Sequence, residues 1–312
     1  MQPGNRKAIL AALAANFGIA VAKFVGWGMT GAASMLAEAV HSVADSGNQA
    51  LLLWGGASAT RPPTDAHPFG FGRERYFWAF VVSLVIFVLG ALFAIYEGIS
   101  KFFDPHELTS PMVAVTILVA GIVLEGFSFR TAVVEAAKQK KQLGWWAFIR
   151  GTKSPELPVI LLEDLGALLG LALALVGIGL SSLTGDPRFD ALGSICIGVL
   201  LGVIAVVLAI EMRSLLIGEA ATAEDRAAIR QALAETRSVD RVIHMRTQHF
   251  APDQLLVALK VQFEAGLNSE GIADGINDAE RRIRARVPAA TLIFIEPDIY
   301  RSGDSDIGAD RR

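Results

Sequence analysis

Residues 38–54 read EAVHSVADSGNQALLLW and set a histidine and an aspartate four positions apart, at His41 and Asp45. On a helix that spacing is one turn, so an imidazole nitrogen and a carboxylate oxygen can converge on one cation. Glu38 and Asn48 fall on the same narrow face, since successive residues rotate by about 100°. A second acidic pair, Glu163 and Asp164, lies in LPVILLEDLGALLG. Imidazole and carboxylate both suit Zn²⁺ or a similar first-row metal at bond lengths of about 2 Å. A tetrahedral site needs four donors, and His41, Asp45, Asp164 and Glu163 can supply them, with Glu38 a further candidate. The competing reading is a hydrogen-bond cluster that pins helices together. Two acids on one polar face plus two adjacent acids elsewhere favour a site.

The elements that carry these groups are apolar. The chain has 312 residues, 53% hydrophobic and 19% charged, and its mean hydropathy is positive. Apolar runs recur at 8–28, 33–57, 77–102, 111–135, 157–182 and 190–217. Each exceeds the roughly 20 residues that cross a hydrocarbon core. The fold class expected is therefore a polytopic α-helical membrane protein with six transmembrane helices. His41 lies about 12 Å and Asp45 about 18 Å into the second run, which straddles the bilayer midplane. A lone aspartate there costs about 3 kcal/mol on insertion scales, so a partner or a bound ion is expected. The second and fifth runs point oppositely, which lets Asp164 reach the depth of Asp45. Lys23, Glu97, Glu125 and Arg130 read as helix-end charges or interhelical pairs, and Glu125, the deepest, keeps a possible part in proton or metal passage.

Basic residues cluster at Arg6 and Lys7, at Arg61, Arg73 and Arg75, and from Lys138 to Lys153, while the alternate connections are nearly free of them. The positive-inside rule then places both termini in the cytoplasm, in a cell (inner) membrane. The alternative is a cleaved signal peptide at the start, which would leave five spans and spoil the alternation of basic loops. The single cysteine, Cys196, excludes a disulfide framework and a Cys-rich zinc site. Formal net charge is −3, with the excess acid beyond residue 217, and nothing points to nucleic acid.

Three domains follow: a transport domain at 1–217, a small α+β domain at 218–300 and a disordered tail at 301–312. The middle segment reads helix (TAEDRAAIRQALAE, capped by Thr222), hairpin (VDRVIHMRTQHF and QLLVALKVQFE), helix (SEGIADGINDAERRIRARV) and strand (ATLIFIEPD). That αββαβ order is a two-layer, ferredoxin-like unit. Trp145 and Trp146, in the basic connection QKKQLGWWAFIRGTKSP, read as a membrane-surface anchor.

The sequence resembles the cation diffusion facilitators, a family of proton-coupled divalent-metal transporters. NFGIAVAKFVGWGMTGAASMLAEAVHSVADSGNQALLL is similar to the family's first two spans, HPFGFGRERY to the loop that follows, and FDALGSICIGVLL to its sixth span. SVDRVIHMRTQHF and IFIEPD match its cytoplasmic domain. The LLED arrangement is similar to the branch containing the mitochondrial zinc exporter. The resemblance implies a metal site completed by a second four-residue pair in the fifth span. Asp164 matches one member, but Ile160 stands where the other belongs, so Glu163 or a water takes its place. His67 keeps the first position of an accessory loop site, whose second position is Phe71. In the cytoplasmic domain His244 matches a ligand position; with the last-strand histidine replaced, His249, Asp253 and Glu296 are the groups that could rebuild a site there.

The expected function is proton-coupled efflux of a divalent cation, zinc first, by alternating access at the midplane site. Manganese, iron, cobalt or nickel are the alternative substrates; a membrane metalloenzyme or a metal sensor are the other classes. No cofactor is expected beyond the transported metal. The partners implied are metal ions, protons, the lipid bilayer and a second copy joined through the cytoplasmic domain.

Overall fold

The computed structural model describes residues 3–140 and 142–301, with side chains from residue 17 onward. Apart from Arg301, the tail expected at 301–312 lies outside the described residues. The chain opens with α1 (Pro3–Thr30) and α2 (Ala33–Ala59). The third span, Glu74–Phe103, consists of α3 (Glu74–Val85), a π-helical segment Ile86–Leu92 and α4 (Phe93–Phe103). Then come α5 (Pro111–Lys140), the short α6 (Trp145–Gly151), α7 (Glu156–Thr184) and α8 (Arg188–Ile217). The remainder is α9 (Ala223–Ala234), β1 (Val239–Ala251), β2 (Gln254–Phe263), α10 (Ser269–Arg286) and β3 (Leu292–Pro297).

Among the described residues, Glu74–Phe103, α5, α7 and α8 are long and apolar enough to cross a membrane, and α1 contributes the shorter apolar stretch Phe17–Thr30. At 27 residues α2 has the length to span. Its polar face is what lowers its hydropathy, and that face is where the candidate ligands sit.

Backbone contacts set the depth of α2. Gly31, at φ 67, takes the left-handed conformation that turns the chain from α1 into α2. Asp190, 2% exposed near the start of α8, then caps α2. Its Oδ2 accepts from Ala33 N at 2.6 Å, and its Oδ1 accepts from Ser34 N at 3.3 Å and from Ser34 Oγ. A carboxylate there satisfies orphan N–H groups and complements the helix dipole.

Glycines let the third and sixth spans meet backbone to backbone. A Cβ on Gly98 would stand 2.8 Å from Ala191 O, and one on Gly198 would stand 2.8 Å from Ala91 O. Close approach through small residues is a main source of helix association in lipid. The π segment lies in this contact. A Cβ on its Gly90 would stand 3.9 Å from His41 Nδ1 and 3.1 Å from Leu201, so the irregular turn of the third span faces the second span's histidine. Such turns recur at functional sites.

By internal contacts the chain divides into two units. One holds the chain up to Ser58 together with Glu74–Arg213; the other holds Ala59–Arg73 and the chain from Ser214. In the second unit β1 pairs antiparallel with β2, and β2 pairs parallel with β3, giving the sheet order β1-β2-β3. This is the expected αββαβ succession. Alternate residues of β2 (Leu255, Val257, Leu259, Val261) are buried against Ile229 and Leu233 of α9 and Ala279 and Ile283 of α10. Each such aliphatic side chain contributes about 1.5–3 kcal/mol on full burial. Thr222 Oγ1 accepts from Asp225 N at 3.1 Å to cap α9, and Asn268 Oδ1 accepts from Gly271 N at 2.8 Å to cap α10.

The loop Ala59–Arg73 belongs to this unit although it sits between two spans in sequence, a partition that a linear boundary at 217/218 does not anticipate. Phe69 stacks on Phe250 at 5.2 Å, and the Arg73 guanidinium lies 4.6 Å from the same ring. Gly72 allows the approach, because a Cβ there would stand 3.0 Å from Phe250 O.

Candidate metal centre

The polar face of α2 points inward. His41 is 1% exposed, and neither of its ring nitrogens has a hydrogen-bond partner. Nδ1 stands 3.5 Å from Asp45 Oδ1, one turn along the helix, and that oxygen is also buried without a hydrogen bond. A buried imidazole with both nitrogens unused is uncommon, since buried polar groups are nearly always paired.

The fifth span, α7, supplies the opposing acids. Asp45 and Glu163 lie carboxyl to carboxyl, an arrangement that needs a proton or a cation between the two groups. Asn48 Nδ2 donates to Glu163 Oε1 at 2.7 Å and fixes its direction. Asp164 turns towards α5, where Ser128 Oγ donates to its Oδ2 at 3.0 Å. Ser42, Asp45, Glu125, Ser128, Glu163 and Asp164 line one narrow cavity. Its free volume of about 10 Å³ admits a single water-sized particle.

His41 backs Asp45 from outside the lining of this cavity. Among the described residues, no three His, Cys, Asp or Glu side chains converge closely enough to hold a metal ion together. Asp45, Glu163 and Asp164 share a cavity and His41 adjoins it, but their donor atoms are not closed on one point. Glu38 is held elsewhere: its Oε2 accepts from Lys23 Nζ at 3.0 Å.

The C-terminal unit does not bring its candidates together. His244 lies opposite Lys260, which in turn lies opposite Glu296. The Lys260 ammonium bridges Glu296 at 3.3 Å and Asp298 at 2.8 Å, placing a positive charge in the row a cation would need. His249 is five residues along β1 in unbroken register from His244, which puts it on the other face of the strand. It is 3% exposed, with Nδ1 3.2 Å from Ala251 O. In the loop, His67 packs against Phe71 at 4.6 Å.

Three participants were not singled out as site residues by the sequence reading. Asn48 and Ser42 lie on the polar side of α2, and Ser128 follows Glu125 by one turn on α5; helical spacing was the signal for all three. Lys23, read as a helix-end charge or interhelical pair, forms a fully buried pair with Glu38.

Intramembrane acids that share one cavity, with a buried imidazole adjoining it, mark the class of helical membrane proteins that handle ions or protons. Over residues 9–217 the chain matches the cation efflux transmembrane domain. The chain belongs to the cation diffusion facilitator family, a family of transporters rather than enzymes, and its relatives include the mitochondrial zinc branch. It is 35% identical over 243 residues to the proton-coupled zinc antiporter SLC30A9, mitochondrial, of Mus musculus, covering 77% of this chain and 43% of that protein. It is 30% identical over 261 residues to metal tolerance protein C4 of Arabidopsis thaliana, covering 83% and 57%. It is 26% identical over 294 residues to the cation-efflux pump FieF of Cronobacter sakazakii, covering 93% and 91%. The chain therefore spans less than half the length of the SLC30A9 relative.

Proposed function

We propose that this protein exports divalent cations, zinc foremost, in exchange for protons, with His41, Asp45 and Asp164 as ligands and Glu163 as the fourth donor in place of the absent group at Ile160. The observation that carries the reading is the buried His41 imidazole, with both nitrogens free of hydrogen bonds beside an unpartnered Asp45 oxygen. The single-particle size of the adjoining cavity supports an ion over an organic substrate. The printed names of the SLC30A9 and FieF relatives support cation efflux and, for SLC30A9, zinc and proton coupling.

The chemistry of exchange follows from the donors. A metal needs a neutral imidazole and ionised carboxylates, so protons and metal compete for the same atoms. Protonation takes up the lone pairs that would bind the metal, which lets the proton concentration on each side bias the competition. If the site opens alternately to either side, metal loads where protons are scarce and leaves where they are abundant. Imidazole among the donors favours zinc over manganese, which prefers oxygen ligands alone. Both termini lie on the loading side, the cytoplasm of a cell membrane, residues 1–217 carry transport, and two copies join through residues 218–300.

The test is metal flux in proteoliposomes with an entrapped fluorescent chelator, with and without a pH gradient. Zinc, manganese, cobalt and iron are compared for the wild type, Asp45→Ala and Asp164→Ala. Gradient-dependent zinc flux, lost in both variants, is the expected result. No flux of any metal, or flux that survives Asp164→Ala, overturns the reading or its ligand set.

A further inference from the structure

One turn beyond the acidic cavity, on the side of the α1–α2 turn, the membrane unit buries a second charged layer that the proposed ligand set does not use. Lys23 on α1 and Glu38 on α2 are both 0% exposed. Lys23 Nζ donates to Glu38 Oε2 at 3.0 Å and to Ser42 Oγ at 2.7 Å. Gly170 makes room for the pair, and Gly121 lies beside it. A Cβ on Gly170 of α7 would collide with Glu38 Oε1, and one on Gly121 of α5 would stand 3.9 Å from Lys23 Cε. Four helices thus close around one ammonium and one carboxylate.

The positions along these helices agree on depth. Glu38 precedes Asp45 by two turns, about 10 Å nearer Gly31. Gly170 follows Asp164 on α7, and Gly121 precedes Glu125 by one turn on α5. Each helix therefore sets the pair on the same side of the cavity. Ser42 joins the layers, because it accepts from Lys23 and also lines the cavity. Solvent reaches only one of them: the Asp45 side chain is 13% exposed, while Lys23 and Glu38 are at 1% and 0%.

A buried ion pair is a poor source of net stability, since desolvation offsets most of the attraction. Its position has a clearer consequence. A fixed ammonium next to a divalent-cation site, with little water to screen it, opposes passage of that cation. We propose that the Lys23–Glu38 pair is the gate that closes the cation site towards the α1–α2 turn. While the ammonium rests on Glu38 and Ser42 that route is shut, and release on that side requires the pair to part. Glu38 Oε1, buried and without a hydrogen-bond partner, is an acceptor for the cation once the ammonium moves away. The gate rests on the cation-transport reading of the acidic cavity.

The test uses the full chain in proteoliposomes, with Ser42→Cys as reporter in a Cys196→Ala background. A membrane-impermeant thiol reagent is applied to the face carrying the α1–α2 turn. Modification is expected to be slow with Lys23 in place, at least tenfold faster with Lys23→Met or the milder Lys23→Gln, and slow again in the swapped Lys23→Glu, Glu38→Lys protein. Zinc flux without a pH gradient should rise several-fold in the same single variants. Unchanged modification in folded, monodisperse Lys23→Gln protein, or fast modification in the swapped protein, overturns the gate. The thiol reaction needs no metal, so its outcome stands apart from that of the transport reading, which is decided by the flux of the unmodified protein and of Asp164→Ala.

Discussion

Asn48 Nδ2 donates to Glu163 Oε1 at 2.7 Å, so the second and fifth spans are tied at the level of the acidic cavity. The bond holds Glu163 against Asp45 and gives α2 a second contact with the site beyond its own His41 and Asp45. Replacing Asn48 by leucine leaves the Glu163 oxygen buried without its donor. A stripped acceptor of this kind costs on the order of 1–3 kcal/mol. The zinc concentration at half-maximal flux should rise about tenfold, equivalent to about 1.4 kcal/mol, with the protein still folded. Unchanged half-saturation would remove Glu163 from the ligand set.

Ser128 makes the corresponding bond to Asp164 at 3.0 Å. This bond is only part-buried, unlike the buried Asn48–Glu163 bond, and Asp164 retains access to the cavity. Ser128→Ala should therefore weaken half-saturation only a few-fold, within the roughly 0.5–1.5 kcal/mol of an ordinary hydrogen bond. A loss as large as that of Asp164→Ala would give Ser128 a more direct role.

Asp190 serves α2 from the opposite end. Three donors at Ala33 and Ser34 converge on its carboxylate. Asp190→Ala removes the cap and should lower stability by about 1–3 kcal/mol, read as a fall in unfolding temperature in detergent. Asp190→Asn keeps an acceptor and should lose less. Equal stability of all three proteins would show that the cap is not what fixes the start of α2.

The C-terminal unit carries exposed ion pairs with a pH signature. Hydrogen bonding from the Lys260 ammonium holds the Asp298 carboxyl below its ordinary range, and hydrogen bonding from Arg286 does the same for Glu235. A carboxylate depressed in the folded state stabilises above its unfolded pKa and loses that contribution as pH falls through the folded value. Stability should therefore decline below about pH 4, and by less in Lys260→Met. Because the pairs are exposed, 1 M salt should shrink the difference. Identical acid profiles for the wild type and Lys260→Met would remove Asp298 as a source of the decline.

Much of the architecture was legible because two periodicities are strong in this chain. Apolar runs long enough to span, the helical spacing of Glu38, His41, Asp45 and Asn48, and the alternation in QLLVALKVQFE each follow from one element's own geometry. The features that escaped depend on how elements meet. Lys23 reads as a helix-end charge or an interhelical pair, and only the meeting of α1 with α2 decides for the pair and makes Glu38 its partner. The π segment Ile86–Leu92 has no composition of its own and is found only where the third span meets His41 and Leu201. The loop Ala59–Arg73 looks like a plain connection between spans, and its place beside β1 rests on the Phe69–Phe250 stack and the space left at Gly72. In the site itself, the residue types and the shared depth of Asp45 and Asp164 follow from the sequence reading, whereas the facing of Asp45 towards Glu163 and the engagement of Asp164 by Ser128 depend on how the helices meet.

The central claim is that His41, Asp45, Asp164 and Glu163 close on one transported cation. Zinc-edge X-ray absorption on the zinc-loaded full chain, for the wild type and His41→Ala, tests it most directly. The account predicts one zinc per chain with one imidazole nitrogen and oxygen neighbours at about 2.0–2.2 Å, and loss of the imidazole signal in His41→Ala. A zinc shell without imidazole in the wild type, or an imidazole signal that persists in His41→Ala, would contradict it.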